Sequence, residues 1–274
     1  MWFLCLFVAK NTFEASRLEP KLMSTHNLKR QPTYMFHGGH FSGDEPFFYD
    51  RTGFPWVKLL EDNWLTIREE IQSLLERNEG RLKPYFNKTM MFPPAQWKTM
   101  GFYFWSYRIH RNCRDCPQTA RIVESIPNMT AASLSVLEPG SNINPHQGDT
   151  NAIVRTHLAL KIPAPLPECG LQVGREIREW REGETLLFCD AHSHTAWNRS
   201  PQRRLVLIVD VMRPEFADRT NAICSHVLGS LLVQALYQRS RLLNRLSGRV
   251  KYVVHFICRN VIRVLLPIQR RARF

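Results

Sequence analysis

The chain has 274 residues, 44% of them hydrophobic and 11% aromatic, which is enough apolar material for one sizeable core, alone or with an appendage, and argues against wholesale disorder. Its net charge of +13 is unevenly placed: Arg219 to Phe274 holds eleven Lys or Arg and no Asp or Glu, so the first 218 residues carry only +2. Seven cysteines without a regular framework fit a reducing compartment better than a secreted disulfide scaffold.

Residues 1–46 read as an irregular arm rich in Thr, His, Gly, Pro and Ser. Within it Met1–Val8 is apolar, but it lacks a basic flank and a small-residue cleavage site and is too short to span a bilayer, so it is not read as a signal peptide. Met23 is an alternative start. From Trp56 to Arg77 the apolar residues Trp56, Leu59, Leu60, Trp64, Ile67, Ile71, Leu74 and Leu75 keep helical spacing, which predicts an amphipathic helix packed on the domain. Gly101–Tyr107 reads as an aromatic strand. Cys113-Arg-Asp-Cys116 follows as a lone CxxC, for which a structural role is preferred to zinc or redox chemistry, and Gln118–Ser125 suits a short helix.

From Ala131 the signals become short strands: Ser133–Leu137, Arg155–Ile162, a pair at Leu171–Val173 and Ile177–Trp180, Thr185–Phe188, and Leu205–Met212. Turns at Glu138-Pro-Gly140, Pro163–Gly170 and Glu182-Gly183 separate them. Many short strands with Gly/Pro turns predict a mainly β domain, a sandwich or jelly roll, with helices on its N-terminal side.

The stretch from Asn144 to Arg204 carries the chemistry. His146 follows an Asn144-Pro145 turn and His194 follows the Thr185–Phe188 strand, and neutral imidazole is a good ligand for divalent iron. Each histidine taken alone has the ordinary reading of a core or surface polar residue beside the ligand reading. The usual non-haem iron pattern also places a carboxylate two residues after the first histidine, where this chain has Gly148. Arg155 and His157 share one face of a predicted strand, as do Arg204, Val206 and Ile208. An arginine turned into a barrel is costly unless an anion meets it; a carboxylate ligand is one partner, and a structural pair with Asp210 or a neighbouring Glu is the other.

Asn144-Pro-His-Gln-Gly148, Arg155-Thr-His-Leu-Ala-Leu160, Trp180-Arg-Glu-Gly-Glu-Thr-Leu-Leu-Phe188, His194-Thr-Ala-Trp197 and Arg204-Leu-Val-Leu-Ile-Val-Asp210, in this order, resemble the aspartyl/asparaginyl β-hydroxylase family, which includes the bacterial lipid A 2-hydroxylases. The resemblance covers residues 47–216 and implies a double-stranded β-helix, or jelly roll, that binds Fe(II), O2 and the co-substrate 2-oxoglutarate. It implies a two-histidine iron site without the carboxylate, so that Gly148 fits. His146 and His194 match the metal ligands and catalytic centre; Ser135, Arg155, His157 and Arg204 match the 2-oxoglutarate-binding positions, with Arg204 at the distal carboxylate. Asp190 matches an acidic residue near the metal and is expected to support it rather than ligate it, and His192 is expected to hydrogen-bond locally. The implied activity is that of a dioxygenase hydroxylating an unactivated C–H, at the β-carbon of an aspartyl or asparaginyl side chain or on a lipid acyl chain.

Residues 217–274 form the third segment, a basic helical extension. Val227, Leu228, Leu231, Leu232, Ala235, Leu236, Leu242, Leu243 and Leu246 keep helical spacing, and Val250–Ile268 is apolar but broken by Lys251, Arg259 and Arg263. Neither offers the ~20 uninterrupted apolar residues of a spanning helix. A basic amphipathic segment suits the interface of an anionic membrane, with packing on the barrel or in a dimer as the alternative; no nucleic-acid motif is present. The expected enzyme is therefore cytoplasmic and peripheral at the membrane surface, with a peptidyl or lipid-linked substrate. The rival reading is a catalytically silent jelly-roll module docked by its tail.

Overall fold

The computed structural model describes residues 30–35, 41–240 and 245–271; Met1–Val8, Met23, Leu242 and Leu243 lie outside the described residues. Among these residues two antiparallel sheets face each other. The strands are β1 (Lys83–Pro84), β2 (Met91–Phe92), β3 (Trp97–Phe104), β4 (Tyr107–Arg108), β5 (Met129–Leu137), β6 (Ser141–His146), β7 (Ile153–Lys161), β8 (Cys169–Val173), β9 (Glu176–Arg178), β10 (Thr185–Phe188), β11 (His194–Asn198) and β12 (Arg204–Met212). The larger sheet runs β1-β3-β5-β12-β7-β10, with β4 beside β3, and the smaller runs β2-β6-β11-β8-β9. This is a jelly roll.

Strand alternation sorts the core into two layers. Leu134 and Val136 of β5, Leu158 and Leu160 of β7, and Leu205, Leu207 and Val209 of β12 point to the outer face of the larger sheet, where helices cover them. The intervening Leu137, Ala159 and Val206 point inward and meet Ile143, Leu171, Val173 and Ala196 of the smaller sheet. Each fully buried aliphatic side chain of these layers contributes about 1.5–3 kcal/mol relative to exposure.

The covering helices are α1 (Trp56–Asp62), α2 (Trp64–Arg77), α3 (His110–Asp115) and α4 (Pro117–Glu124). The single helix predicted over Trp56–Arg77 is thus two, interrupted at Asn63, whose side-chain amide donates to the Leu59 carbonyl at 2.9 Å. The apolar periodicity survives the break because Leu60, Ile67, Ile71 and Leu74 are all buried against the sheet. The predicted Gly101–Tyr107 strand is a hairpin: Trp105 and Ser106 both take positive φ, 47° and 67°, and turn the chain from β3 into β4. Cys113 and Cys116, one on α3 and the other just after it, are buried in the outer layer, where burial pushes both thiols up, Cys116 to about 12.

The C-terminal extension forms α5 (Thr220–Arg239) and α6 (Gly248–Arg271). They run antiparallel, with Asn221 donating to the Arg263 carbonyl and Ser230 Oγ 3.0 Å from His255 Nε2. Ile223, Cys224 and Val227 of α5 and Leu266 of α6 join Trp105, Ile153, Met212 and Phe216 in a third core at one end of the barrel. The extension therefore packs on the domain through one face of each helix.

Candidate active site

His146 ends β6 and His194 begins β11, and the two are register partners in the smaller sheet. The local sequence puts His146 at a turn and His194 after a strand, whereas the structure carries each on a short strand of its own. The tertiary pairing is what brings the imidazoles together, with ring centroids 4.1 Å apart. His146 Nδ1 lies 2.9 Å from the Asn144 carbonyl and His194 Nδ1 lies 2.9 Å from the His192 carbonyl. A carbonyl only accepts, so Nδ1 carries the proton in each ring and Nε2 keeps its lone pair, the tautomer a metal ligand requires.

Burial lowers His146 to about 4 and takes His194 well below the ordinary imidazole range, with its neighbour His146 adding to the effect. Both are therefore neutral at physiological pH. In the unfolded chain they protonate near 6.5, so the unfolded state binds more protons than the folded state from there down to about pH 4. Stability from these groups is complete above about pH 6.5 and is lost as pH falls through this window, by up to ~1.4 kcal/mol per pH unit for each histidine. Melting temperatures from pH 7.5 to 4.5 should fall more steeply for the wild-type protein than for a variant with both histidines changed to Ala.

The remaining predicted residues lie on the inward face of the larger sheet. Ser135 of β5 is the register partner of Val206, and Arg204 opens β12 opposite Leu137. Arg204 is 1% exposed. Its Nη1 lies 3.5 Å from Ser135 Oγ, its guanidinium carbon lies 4.8 Å over the Trp180 ring, and its Nε has no hydrogen-bond partner. Among the described residues no carboxylate pairs with it, and burial lowers its pKa to about 10. His157 lies 4.9 Å from Phe188 and 6.1 Å from Trp180, with Nδ1 buried and unpartnered. Desolvation, reinforced by Arg204, holds His157 well below its ordinary pKa.

These groups close a ring. His146 faces Trp97 at 6.2 Å, Trp97 Nε1 donates to Ser135 Oγ at 3.0 Å, Ser135 meets Arg204, and Arg204 covers Trp180. From Trp180 the contacts continue through His157 and Phe188 to His194, 5.4 Å from Phe188. Trp97, Trp180 and Phe188 are the members that sequence reasoning did not assign. Trp180 and Phe188 bound one of the motifs read from the sequence, which is their signal, whereas Trp97 precedes the strand read at Gly101–Tyr107 and carries none.

Arg155 is placed differently from Arg204. Its Nε and Nη2 donate to the two oxygens of Asp210 at 2.8 and 2.7 Å, and Nη1 forms an ion pair with Asp190 at 2.9 Å. Asp210 thus pairs with Arg155, its register partner, and not with Arg204 as the structural alternative had it. Six residues of strand separate Arg204 from Asp210, roughly 20 Å at ~3.3 Å per residue, which no side chain bridges. Asp210→Asn should weaken this bidentate clamp on a largely buried cation and cost about 3 kcal/mol, read by urea unfolding. A fully stable variant would show that Asp190 alone suffices.

Gly148 has a steric reason. A β-carbon there would lie 2.1 Å from Asp190 Oδ2, so the Asp190 carboxylate fills the space that a side chain at position 148 would need. The Gly148 amide also donates to the Asp190 carbonyl at 2.7 Å. His192 Nε2 meets the Glu45 carbonyl at 2.7 Å, and its ring lies between Phe41 and Phe47. Among the described residues no group of three or more His, Cys, Asp or Glu is arranged to hold a metal ion, so the protein offers two imidazoles.

Residues 61–214 match the family model described as aspartyl/asparaginyl beta-hydroxylase. An ornithine lipid ester-linked acyl 2-hydroxylase of Rhizobium tropici is 33% identical over 174 residues, covering 62% of this chain and 61% of that protein. The human aspartyl/asparaginyl beta-hydroxylase is 31% identical over 58% of this chain and 21% of its own length. Mouse aspartate beta-hydroxylase domain-containing protein 2 is 36% identical over 59% and 49%. The chain thus spans less than two thirds of each of these relatives. With the family model matching more than half of its residues, the chain belongs to the aspartyl/asparaginyl β-hydroxylase family.

Proposed function

We propose that this chain is an Fe(II)- and 2-oxoglutarate-dependent hydroxylase that oxidises a methylene group next to a carbonyl, on a lipid-linked acyl chain. The observation that carries the co-substrate is Arg204, a buried guanidinium that no carboxylate among the described residues meets. A dicarboxylate placing one end there would give the cation the bidentate partner it lacks. Ser135 Oγ stands beside that end, and His157 Nδ1 offers a further buried, unpartnered polar atom in the same ring.

The donor set fits iron. Two neutral imidazoles with fixed tautomers suit a divalent first-row metal and leave most of its coordination sphere to co-substrate and oxygen. Bound iron would supply the oxidation: O2 is the oxidant, 2-oxoglutarate leaves as succinate and carbon dioxide, and the C–H becomes C–OH. The chain's own residues do the rest. Arg204 and Ser135 orient the co-substrate, the backbone carbonyls of Asn144 and His192 aim the two imidazoles, and Trp97, Trp180 and Phe188 keep the ring dry.

What the relatives' activities share supports this substrate class. The β-carbon of an aspartyl side chain and C2 of an ester-linked acyl chain both adjoin a carbonyl, so one site chemistry serves both. The acyl reading is supported by the similarity to the Rhizobium tropici protein and by the aromatic lip of the site. Tyr85 stacks on Trp97 at 3.9 Å and carries beside it Phe86, 72% exposed. Purified protein with iron, ascorbate and 2-oxoglutarate should release succinate in step with one added oxygen on an acyl lipid, read by mass spectrometry. Succinate coupled to an aspartyl peptide instead would move the substrate; no succinate with either would favour a silent binding module.

A further inference from the structure

The helix α6 is amphipathic in the inverse sense to an ordinary packed helix. Its inner face is set by contacts through Arg259, which touches Gly229 of α5, through His255 at Ser230, and through Gln269, which bonds the Arg108 backbone. Leu266 is its one buried apolar residue among those described. Val250, Val253, Ile257, Val261, Val264 and Ile268, at steps of three and four, fall on the opposite side as a continuous stripe, each between 43% and 67% exposed. The stripe extends along most of a helix about 36 Å long, at 1.5 Å per residue. Soluble monomers rarely expose a continuous apolar stripe of this length, and where they do it commonly marks an interaction site.

Charge decides what covers it. The helix contains Arg249, Lys251, Arg259, Arg263, Arg270 and Arg271 and no acidic residue. Beside it a cavity of about 360 Å³ between α5, α6 and the N-terminal segment is lined by Arg219, Arg259, Arg263, Asn260 and Tyr34 and by no carboxylate. Among the described residues no helix is long and apolar enough to cross a membrane. An apolar stripe on an arginine-rich helix, with Arg249 and Arg271 at its margins and the opposite face already docked to the domain, has the form of an interfacial anchor.

We infer that α6 is a docking surface for an anionic phospholipid bilayer: Val250, Val253, Ile257, Val261, Val264 and Ile268 enter the acyl boundary while Arg249 and Arg271 at the margins of the stripe meet lipid phosphates. This surface would hold the domain at the membrane whatever the substrate is, so its test is separate from that of the hydroxylase reading. The test is co-sedimentation of the full chain with vesicles of phosphatidylcholine containing or lacking phosphatidylglycerol. Binding should require the anionic lipid, weaken with salt, and fall about tenfold or more in I257D/V264D, whose succinate formation without lipid stays at the wild-type level. Equal binding to both vesicle types, or a variant that binds like the wild type, would overturn the inference. So would a wild-type dimer that I257D/V264D converts to monomer with vesicle binding unchanged, which would assign the stripe to a second copy of the chain. Vesicle binding that appears only once residues 1–29 are deleted would assign the cover to that segment and likewise overturn it.

Discussion

Arg204→Met is expected to raise the melting temperature of the ligand-free protein while removing its response to 2-oxoglutarate. The guanidinium is 1% exposed, its Nε is unpartnered, and its closest hydrogen-bonding contact is Ser135 Oγ at the long distance of 3.5 Å. Desolvating a cation on these terms costs several kcal/mol, and a methionine of similar length would keep the packing on Trp180 without that cost. A gain of about 1–3 kcal/mol corresponds to several degrees for a domain of this size. The same substitution removes the charge that a dicarboxylate would meet, a loss of about 2–5 kcal/mol in binding, or roughly 30-fold to several thousand-fold. Differential scanning fluorimetry with and without 2-oxoglutarate reads both effects. A variant that is less stable than wild type and still shifted by 2-oxoglutarate would remove the co-substrate assignment.

The second large effect is expected at the histidine pair. His146→Ala and His194→Ala each delete one of the two imidazoles that the structure brings within 4.1 Å, and no third group arranged for a metal stands among the described residues to replace it. Changing even the partners that orient a ligand typically costs ~10–100-fold in metal affinity, so loss of a ligand itself should cost more. Iron measured by mass spectrometry should fall from one equivalent to near zero in the double variant, with succinate formation lost alongside it. Chelation of the wild-type protein should give the same loss, reversed by Fe(II). The fold should persist, because the hydrogen bonds of both rings go to backbone carbonyls two residues away and tie no other element together. A double variant that keeps iron and turnover would place the metal elsewhere.

The two arginines show where sequence reading succeeds and where it stops. Alternation alone put Arg204 on the inward face with Val206 and Ile208, opposite Leu205, Leu207 and Val209, and the two core layers divide along that line. Alternation did not say which arginine is paired. Arg155 meets Asp210 because β7 and β12 are register partners at those positions, a relation between segments 55 residues apart. The strands that carry the histidines escaped notice for a related reason. β6 and β11 are 6 and 5 residues long, and Pro145 and the polar residues Asn144 and Ser193 at their ends read locally as turn. Pairing across the smaller sheet, not intrinsic propensity, makes them strands.

By itself the sequence determined the β architecture, the helical layer over it, the order of its motifs and the basic charge of its last segment, because period-2 and period-3.6 patterns and net charge are local properties. Tertiary structure alone decided that His146 and His194 face each other, that Arg204 has no counter-ion among the described residues, that Asp190 fills the space beside Gly148, and that α6 turns its apolar stripe outward. Each of these depends on which distant segments are brought into register or contact. Their physical consequence, whether satisfied or unsatisfied charge and covered or uncovered apolar surface, exists only once the chain has closed.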